Sequence, residues 1–413
     1  MTTHKDSGIE WIGTIPSSWD VKPLFAVGEP VKSKNRQGQN ANLLSLSYGE
    51  IKEKDIDSTD GLLPESFDTY QEIKPGDLVF RFTDLQNDKR SLRSAVTGFN
   101  GIITSAYLAF RPKAIDSKYL GYLMRSYDTP KVFYAMGSGL RQSLKYSDVR
   151  RMPVLVPPIE EQKAIADFLD RELNELDALV QKMEKFVTLL EERLHSELVQ
   201  ATTRDFEQAR RDGWSVKKLG LLFRTIGSGT TPTASDEANF GGETPWVTTG
   251  ELRENLILET QKYISDQALR NFSALRIYPA GSLVLALYGA TIGRLAFLGV
   301  PAAVNQACCV MANPKNCEPR FIYYALQASR DRLMAAAVGS GQPNISQEIV
   351  RQFKLPLPPL EEQRDIASDL DRAVASAQAL VQTAQQTLHT LGLRRQALVS
   401  AAVNGKIDIR GKS

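Results

Sequence analysis

The chain has 413 residues, 42% hydrophobic and 24% charged, with a formal net charge of +2. That length leaves room for two or three domains with buried cores, and the apolar content is ordinary for a globular protein. No run reaches the ~18 apolar residues of a membrane span, the start Met1-Thr2-Thr3-His4-Lys5-Asp6 lacks the apolar core of a signal peptide, and three cysteines without a Cys-x-x-Cys pair, beside three scattered histidines, exclude an obvious zinc site.

In chain order, the first expected element is a short strand behind Trp19, in Trp19-Asp20-Val21-Lys22-Pro23-Leu24. A turn at Pro75-Gly76 leads into a second strand, Leu78-Val79-Phe80. A polar and basic stretch follows, from Arg81-Phe82-Thr83-Asp84 to Asp88-Lys89-Arg90-Ser91-Leu92-Arg93. Lys118 to Tyr127 has the apolar spacing of a short helix. Gly137-Ser138-Gly139-Leu140-Arg141-Gln142 and the nearby Lys145 then precede Pro157-Pro158-Ile159-Glu160-Glu161-Gln162, which opens a long helical segment. Prolines just before the start and acids in the first turn suit a helix N-terminus.

The order then repeats. Trp214-Ser215-Val216-Lys217-Lys218-Leu219 matches the Trp19 strand, and Gly281-Ser282-Leu283-Val284 matches Gly76-Asp77-Leu78-Val79. Arg294 matches Arg93, Pro319 to Ala328 matches the short helix, and Ser340-Gly341 matches Ser138-Gly139. Pro358-Pro359-Leu360-Glu361-Glu362-Gln363 returns 201 residues after its first copy. The offset is 195 at the tryptophans, 205 at the Gly-x-Leu-Val strands and 201 at the arginines, after which the spacing is almost fixed, so the globular parts have diverged by insertion and deletion.

The long helices keep register. Ile165, Leu169, Leu173, Leu176, Val180, Met183, Val187 and Leu190 are followed 201 residues later by Ile366, Leu370, Val374, Ala377, Val381, Ala384, Leu388 and Leu391. This is one apolar stripe per helix, suited to helix-on-helix packing. Each helix of ~40 residues would span ~60 Å, and Asn404-Gly405 reads as the closing stop. The stripes either only pack on each other or leave surface for partner helices. On the second reading Ile165, Leu169, Leu176, Met183, Leu190, Ile366, Leu370, Ala377, Ala384 and Leu391 are the candidate partner-binding residues. The expected architecture is α+β: two tandem mixed α/β domains, at 1–156 and 205–356, each followed by a long helical segment, at 157–204 and 357–413, as an internal repeat.

Charge follows this division. The globular segments 1–156 and 205–356 each carry +3, the first helical segment −5 and the last segment +1. Mildly basic globular parts permit nucleic-acid contact, and an acidic helix disfavours it.

Catalytic signatures are missing. There is no Gly-x-Gly-x-x-Gly run and no Gly-x-x-x-x-Gly-Lys-Ser/Thr phosphate loop. The tetrads Val156-Pro157-Pro158-Ile159 and Leu357-Pro358-Pro359-Leu360 lack both the polar first residue and the aromatic last residue of an amino-methyltransferase motif. Glu50-Ile51-Lys52 has no upstream Pro-Asp to make a nuclease site. A duplicated chain of this kind reads as a binding module.

The candidate DNA contacts come in three clusters. Gly227-Ser228-Gly229-Thr230-Thr231-Pro232-Thr233 offers the hydroxyls of Ser228, Thr230 and Thr231 with backbone N–H groups for phosphates, or is a plain turn. Tyr288-Gly289-Ala290-Thr291-Ile292-Gly293-Arg294 follows a strand and corresponds to the stretch with Lys89, Arg90 and Arg93 in the first half; Tyr288, Lys89 and Arg90 are candidate DNA contacts, and Arg93 and Arg294 would read guanines or clamp phosphates, the alternative being structural salt bridges. Ser138, Arg141, Gln142 and Lys145, with Gln342 and Asn344 in the second copy, stand just before the long helices, and Arg, Gln and Asn can bond base edges bidentately.

This order resembles the specificity subunit of type I restriction-modification systems. It runs Trp-strand, Gly-Ser-Gly-Thr-Thr-Pro loop, Tyr-Gly-Ala-Thr-Ile-Gly-Arg, Asn305-Gln306-Ala307-Cys308-Cys309, Gly-Ser-Gly-Gln, then Leu-Pro-Leu-Pro-Pro-Leu-Glu-Glu-Gln and a long helix. The first half departs from it, with Lys32-Ser33-Lys34-Asn35-Arg36-Gln37 in place of the Gly-Thr-Pro loop and Arg81-Phe82-Thr83-Asp84 in place of Tyr-Gly-Ala-Thr. The resemblance implies two target recognition domains, each reading one half of a split double-stranded DNA site, joined as a pseudo-twofold repeat by two long antiparallel coiled-coil helices that act as spacer and dock two adenine-N6 methyltransferase (M) subunits. Restriction and motor (R) subunits would join them. S-adenosylmethionine, ATP and Mg would belong to those partners, this chain would bind no cofactor and catalyse nothing, and the setting would be a bacterial or archaeal cytoplasm without membrane contact. The alternatives are a self-contained methyltransferase or nuclease with a site assembled from dispersed residues, the specificity chain of a related phage-defence system, or a non-catalytic coiled-coil adaptor that binds proteins.

Overall fold

The computed structural model describes residues 3–36, 40–55, 66–85, 92–136, 143–337, 344–407 and 409. It divides into two compact units, Met1–Met183 with Gln385–Ser413, and Glu184–Ala384.

In the first unit the strands Asp20–Pro23 and Pro153–Val156 pair antiparallel. The chain entering behind buried Trp19 therefore lies beside the chain leaving for the long helix. Between them, among the described residues, lie two four-stranded sheets. One runs Gly28–Pro30, Leu108–Pro112, Leu78–Phe80, Ser94–Val96, all antiparallel. The other runs Glu50–Lys54, Leu43–Ser47, Gly101–Ile103, Gln71–Ile73, with one parallel pair. The short helix expected near Lys118 spans Ser117–Asp128, and the Asp116 carboxylate caps it by accepting from the Tyr119 N–H.

The second unit repeats this plan. Ser215–Lys218 pairs with Lys354–Leu357. A five-stranded sheet runs Phe223–Ser228, Cys308–Pro314, Leu283–Ala286, Leu295–Leu298, Asn255–Ile257, and a three-stranded one runs Tyr263–Ile264, Phe240–Val247, Ala303–Val304. The matching short helix is Pro319–Ala328, with Pro319 at its first position and Glu318 as cap.

The long helices are Ile159–Thr202 and Leu360–Val403, with Glu160, Glu161, Glu361 and Glu362 in their first turns. The second ends where Gly405 takes φ +68°, and the Lys406 N–H returns to the Ala401 carbonyl at 2.9 Å. In the first unit Ile165, Leu169, Leu173 and Leu176 share one core with Val399, Ala402 and Val403, and with Trp19, Tyr119 and Leu123 of the globular part. In the second, Leu198 meets Ala367 and Leu370 in a core that also holds Trp214, Phe321 and Tyr324. The early turns of one helix thus pack on the late turns of the other in both units, which is antiparallel pairing.

The four-segment division at 156, 204 and 356 does not coincide with the compact units, because each unit takes half of each helix. The physical reason is burial: the helix halves seal the globular cores instead of forming a separate rod.

Candidate nucleic-acid interface

In the second unit the strand Phe223–Ser228 runs out into a loop held down by its own polar groups. The Ser228 hydroxyl lies 3.0 Å from the Gln306 carbonyl and 2.8 Å from that of Cys308. The Tyr278 hydroxyl donates to the Ser228 carbonyl at 3.0 Å, and the Trp246 indole N–H to that of Thr230 at 3.3 Å. Gly229 passes so close to the next segment that a Cβ there would lie 1.7 Å from the Val304 oxygen. Only glycine allows that approach. The Thr231 hydroxyl donates to the side-chain oxygen of exposed Gln306.

The same segment, 305–307, joins the other clusters. Leu287 N–H donates to the Ala307 carbonyl at 2.7 Å, and Ile345 N–H to the Leu287 carbonyl at 2.8 Å. Tyr288 and Asn344 pair as an antiparallel bridge. Five expected residues, Ser228, Thr230, Thr231, Tyr288 and Asn344, therefore converge through one backbone network. They carry three hydroxyls, a phenol and an amide at a partly open surface. Gln306, which sequence reasoning passed over as a site, lies at the centre. Its amide is oriented by Thr231, and it lies in the Asn-Gln-Ala-Cys-Cys run, where that signal was available.

Arg294 starts from the same strand end, its carbonyl accepting from Ala286 N–H at 2.9 Å. Its guanidinium pairs with Glu254 at 3.4 Å, with both side chains more than a third exposed or nearly so, at 41% and 33%.

In the first unit Lys89, Arg90, Ser138, Arg141 and Gln142 lie outside the described residues, as does Gln342 of the second. Lys145 is exposed, its N–H bonded to Asp148 at 2.8 Å. Arg93 corrects the expectation of a DNA-facing arginine: it is fully buried. Its backbone N–H meets the Asp128 carboxylate, and its guanidinium donates to the Tyr134 hydroxyl at 3.1 Å and the Thr83 carbonyl at 3.2 Å. Burial pushes the Asp128 carboxyl above its ordinary range, against the pull of the Arg93 N–H. This arginine holds the domain together and is not available to a nucleic acid.

The helix stripe needs the same correction. Ile165, Leu169, Leu176 and Leu370 are buried inside their units, Ala384 is also buried, and Met183, Leu190, Ile366, Ala377 and Leu391 are half-buried. The stripe is mostly consumed by intramolecular packing. The large apolar side chains that stay exposed on the helices are others: Ile159, Leu179 and Leu393 in the first unit, and Phe186, Leu189 and Leu380 in the second.

Sequence reasoning also missed how each globular part is fastened. Gln162 is buried; its oxygen accepts from the Asp116 N–H at 2.7 Å, and its amide donates to the Pro157 carbonyl at 2.8 Å. Gln363 does the same with the Glu318 N–H and the Pro358 carbonyl, both at 2.8 Å. The last residue of the Pro-Pro-x-Glu-Glu-Gln repeat thus ties the start of each long helix to the cap of the neighbouring short helix.

Residues 211–390 match the family described as Type I restriction modification DNA specificity domain. A Methanocaldococcus jannaschii protein proposed as the MjaX type I restriction enzyme specificity subunit is 22% identical over 432 residues, covering 97% of this chain and 96% of its own. The Escherichia coli EcoR124I/EcoR124II specificity subunit is 23% identical over 261 residues, 62% of each chain. Among solved structures, a chain from work on complex assembly and conformational transition of the type I R-M system superposes with a TM-score of 0.76 at 17% identity, covering 95% of this chain and 99% of that one. The HsdS subunit of Thermoanaerobacter tengcongensis gives a TM-score of 0.56 at 17% identity, covering 95% and 98%. At that identity the two structures speak for the fold.

Proposed function

We propose, from the premise that this chain is a relative of the type I restriction-modification specificity subunits, that it reads a split double-stranded DNA target, one half-site per globular unit. It would carry two adenine-N6 methyltransferase subunits and ATP-dependent restriction subunits to that target. The observation that carries this is the convergence of Ser228, Thr230, Thr231, Tyr288, Gln306 and Asn344 on one surface inside the span that matches the DNA specificity domain.

The chemistry suits the task. Hydroxyls and N–H groups bond phosphate oxygens and set register. A Gln or Asn amide can accept from adenine N6 and donate to N7 in the major groove. Arg294, released from Glu254, would add a phosphate or guanine contact. The first unit carries different residues in the matching places, as a reader of a different half-site must. With only +3 on each globular segment, the nonspecific electrostatic grip is small. Firm binding then needs the partners, whose docking surface would include Leu179 and Leu393 in one unit and Phe186, Leu189 and Leu380 in the other.

This chain would catalyse nothing itself. S-adenosylmethionine would sit on the methyltransferase subunits, with ATP and Mg on the restriction subunits, in the cytoplasm. No helix among the described residues is long and apolar enough to cross a membrane.

The test is long-read methylation profiling of DNA from cells with and without the chain, the neighbouring methyltransferase gene kept intact. A split motif with methylated adenine in both halves, lost on deletion, is the expected result. Unchanged methylation with the methyltransferase expressed overturns the reading.

A further inference from the structure

Each globular part touches its long helix through a second polar tie, in duplicate. In the first unit the Asp170 carboxylate on the long helix receives the Lys118 ammonium at 2.6 Å and the Tyr122 hydroxyl at 2.5 Å. In the second, Asp371 receives the Arg320 guanidinium at 2.6 and 2.9 Å and the Tyr324 hydroxyl. The carboxylates are 201 residues apart, and the cations and tyrosines 202. Cation and tyrosine stand at i and i+4 on the short helix, one above the other.

Both ties border an opening. Asp170, Lys118 and Tyr122 line a cleft of about 400 Å³ that reaches the turn at Gly49. Asp371, Arg320 and Tyr324 line one of about 1030 Å³ that reaches Arg253 and Glu254. Apolar packing is interrupted there, so the carboxylate spans a gap that side-chain packing leaves. The pairs are half-exposed, with Asp170 at 32% and Lys118 at 58%, and Asp371 at 39% and Arg320 at 45%. Such ion pairs add little to stability. The Lys118 ammonium is held above its ordinary pKa by the hydrogen bond to Asp170, and burial pushes both tyrosines up, so the cation and the phenols keep their protons at neutral pH.

Position along the helix supplies the missing reason. Asp170 follows Gln162 by eight residues, and Asp371 follows Gln363 by eight, which is ~12 Å along the axis. The glutamine latch alone is a pivot between the short and long helices. A second attachment ~12 Å away fixes the angle between them. Loosening that tie by ~2 Å tilts the globular part by roughly 10°, which moves a surface ~30 Å away by ~5 Å. One DNA base pair rises ~3.4 Å.

We propose that Asp170 and Asp371 are positioning residues: with the Lys118–Tyr122 and Arg320–Tyr324 pairs they hold each globular part at one angle on its long helix, and so set how sharply the chain discriminates the spacing between half-sites. This rests on the split-site reading above.

The experiment uses the full chain with its methyltransferase partners and the variants Asp170→Asn and Asp371→Asn. Two quantities are read. The first is methylation of split targets whose spacer is one or two base pairs longer or shorter than the wild-type optimum. The second, free of DNA, is the width of the distance distribution between spin labels at exposed Glu175 and Asn100 in the first unit, for Asp170→Asn. The expected result is a broader distance distribution and a preference for the native spacer reduced about threefold to tenfold, the share of one partly exposed charge-assisted hydrogen bond, with the bases read in each half unchanged. An unchanged width overturns the proposal, as does a broader width with an unchanged spacer profile. A uniform loss of methylation at every spacer also overturns it, because a merely structural role does that. A wild-type complex that recognises no split target sinks both readings, whereas failure confined to the variants sinks this one alone.

Discussion

Replacing Gln363 by Met keeps the side-chain volume and removes both of its hydrogen bonds. The residue is 1% exposed, its partners are the Glu318 N–H and the Pro358 carbonyl, each at 2.8 Å, and Glu318 caps the helix Pro319–Ala328. A buried hydrogen bond contributes about 0.5–1.5 kcal/mol net, and a buried partner left unpaired costs about 1–3 kcal/mol. With a donor and an acceptor both stranded, the second unit should lose about 2–6 kcal/mol. At about 2–4 °C per kcal/mol for a unit of this size, its melting temperature should fall by about 4–24 °C. Two compact units need not melt together, so the assay is calorimetry of the full chain with hydrogen exchange followed at the Glu318 amide. Gln162→Met should do the same to the first unit. Gln363→Glu adds a sign test. Its carboxylate would face the Pro358 carbonyl in a buried site, so the folded-state pKa of the introduced group is raised. Its protonated form restores a donor, so the variant is least impaired at low pH and loses stability as pH rises through that raised pKa. A loss under about 0.5 kcal/mol in both Met variants would refute the latch.

Four further outcomes are expected. Gly229→Ala must displace the loop, since its Cβ would lie 1.7 Å from the Val304 oxygen; it should cost about 1–3 kcal/mol and weaken recognition of one half-site only, so wild-type melting and methylation would count against the close approach. Gln306→Ala should relax discrimination at one base pair of that half-site by about 1–3 kcal/mol; equal weakening on every sequence, read by methylation profiling, would mean a phosphate contact instead. Burial pushes Cys309 up to about 12 and Cys317 up to about 11, and Cys308 higher still; the folded chain should therefore resist thiol reagents at pH 8 and expose three reactive thiols on unfolding. These raised values contribute stability that is full below the ordinary thiol pKa and is lost as pH climbs towards them, and rapid labelling of the native chain would contradict the burial. One helical turn inserted near Lys182 adds ~5.4 Å; the preferred spacer should lengthen by ~1–2 base pairs, and an unchanged optimum in a spacer series refutes the ruler.

Much of the frame was legible because period and repetition report it directly. The 4, 4, 3, 4, 3, 4, 3 spacing marks both long helices, Asn404-Gly405 marks the stop after Val403, and the short helix expected from Pro319 to Ala328 has those bounds. Periodicity says which face of a helix is buried but not what buries it. Ile165, Leu169 and Leu176 fit a partner helix by spacing alone, yet they lie in the core with Val399 and Ala402. A lone arginine between glycine-rich and basic stretches is equally ambiguous: Arg93 finds Tyr134 and Thr83, which are distant in sequence. Gln306 stood in a recognised run, yet its role depends on the Thr231 hydroxyl 75 residues away.

The repeat is informative in where it fails as well as where it holds. The loops that carry Ser228 to Thr231 have no counterpart in Lys32 to Gln37, whereas Gln162 and Gln363, Asp170 and Asp371, and Tyr122 and Tyr324 hold the same partners in both units. Insertions change the outer loops at little cost, because loop closure depends only weakly on length. The joints do not share that freedom, since each of those side chains must reach a fixed atom on a neighbouring helix at hydrogen-bond distance. A protein that reads two different half-sites needs this asymmetry: surfaces free to differ, on joints that stay the same. Lys118 becoming Arg320 is the largest change the joint has admitted, and it keeps the charge, the reach and the carboxylate partner.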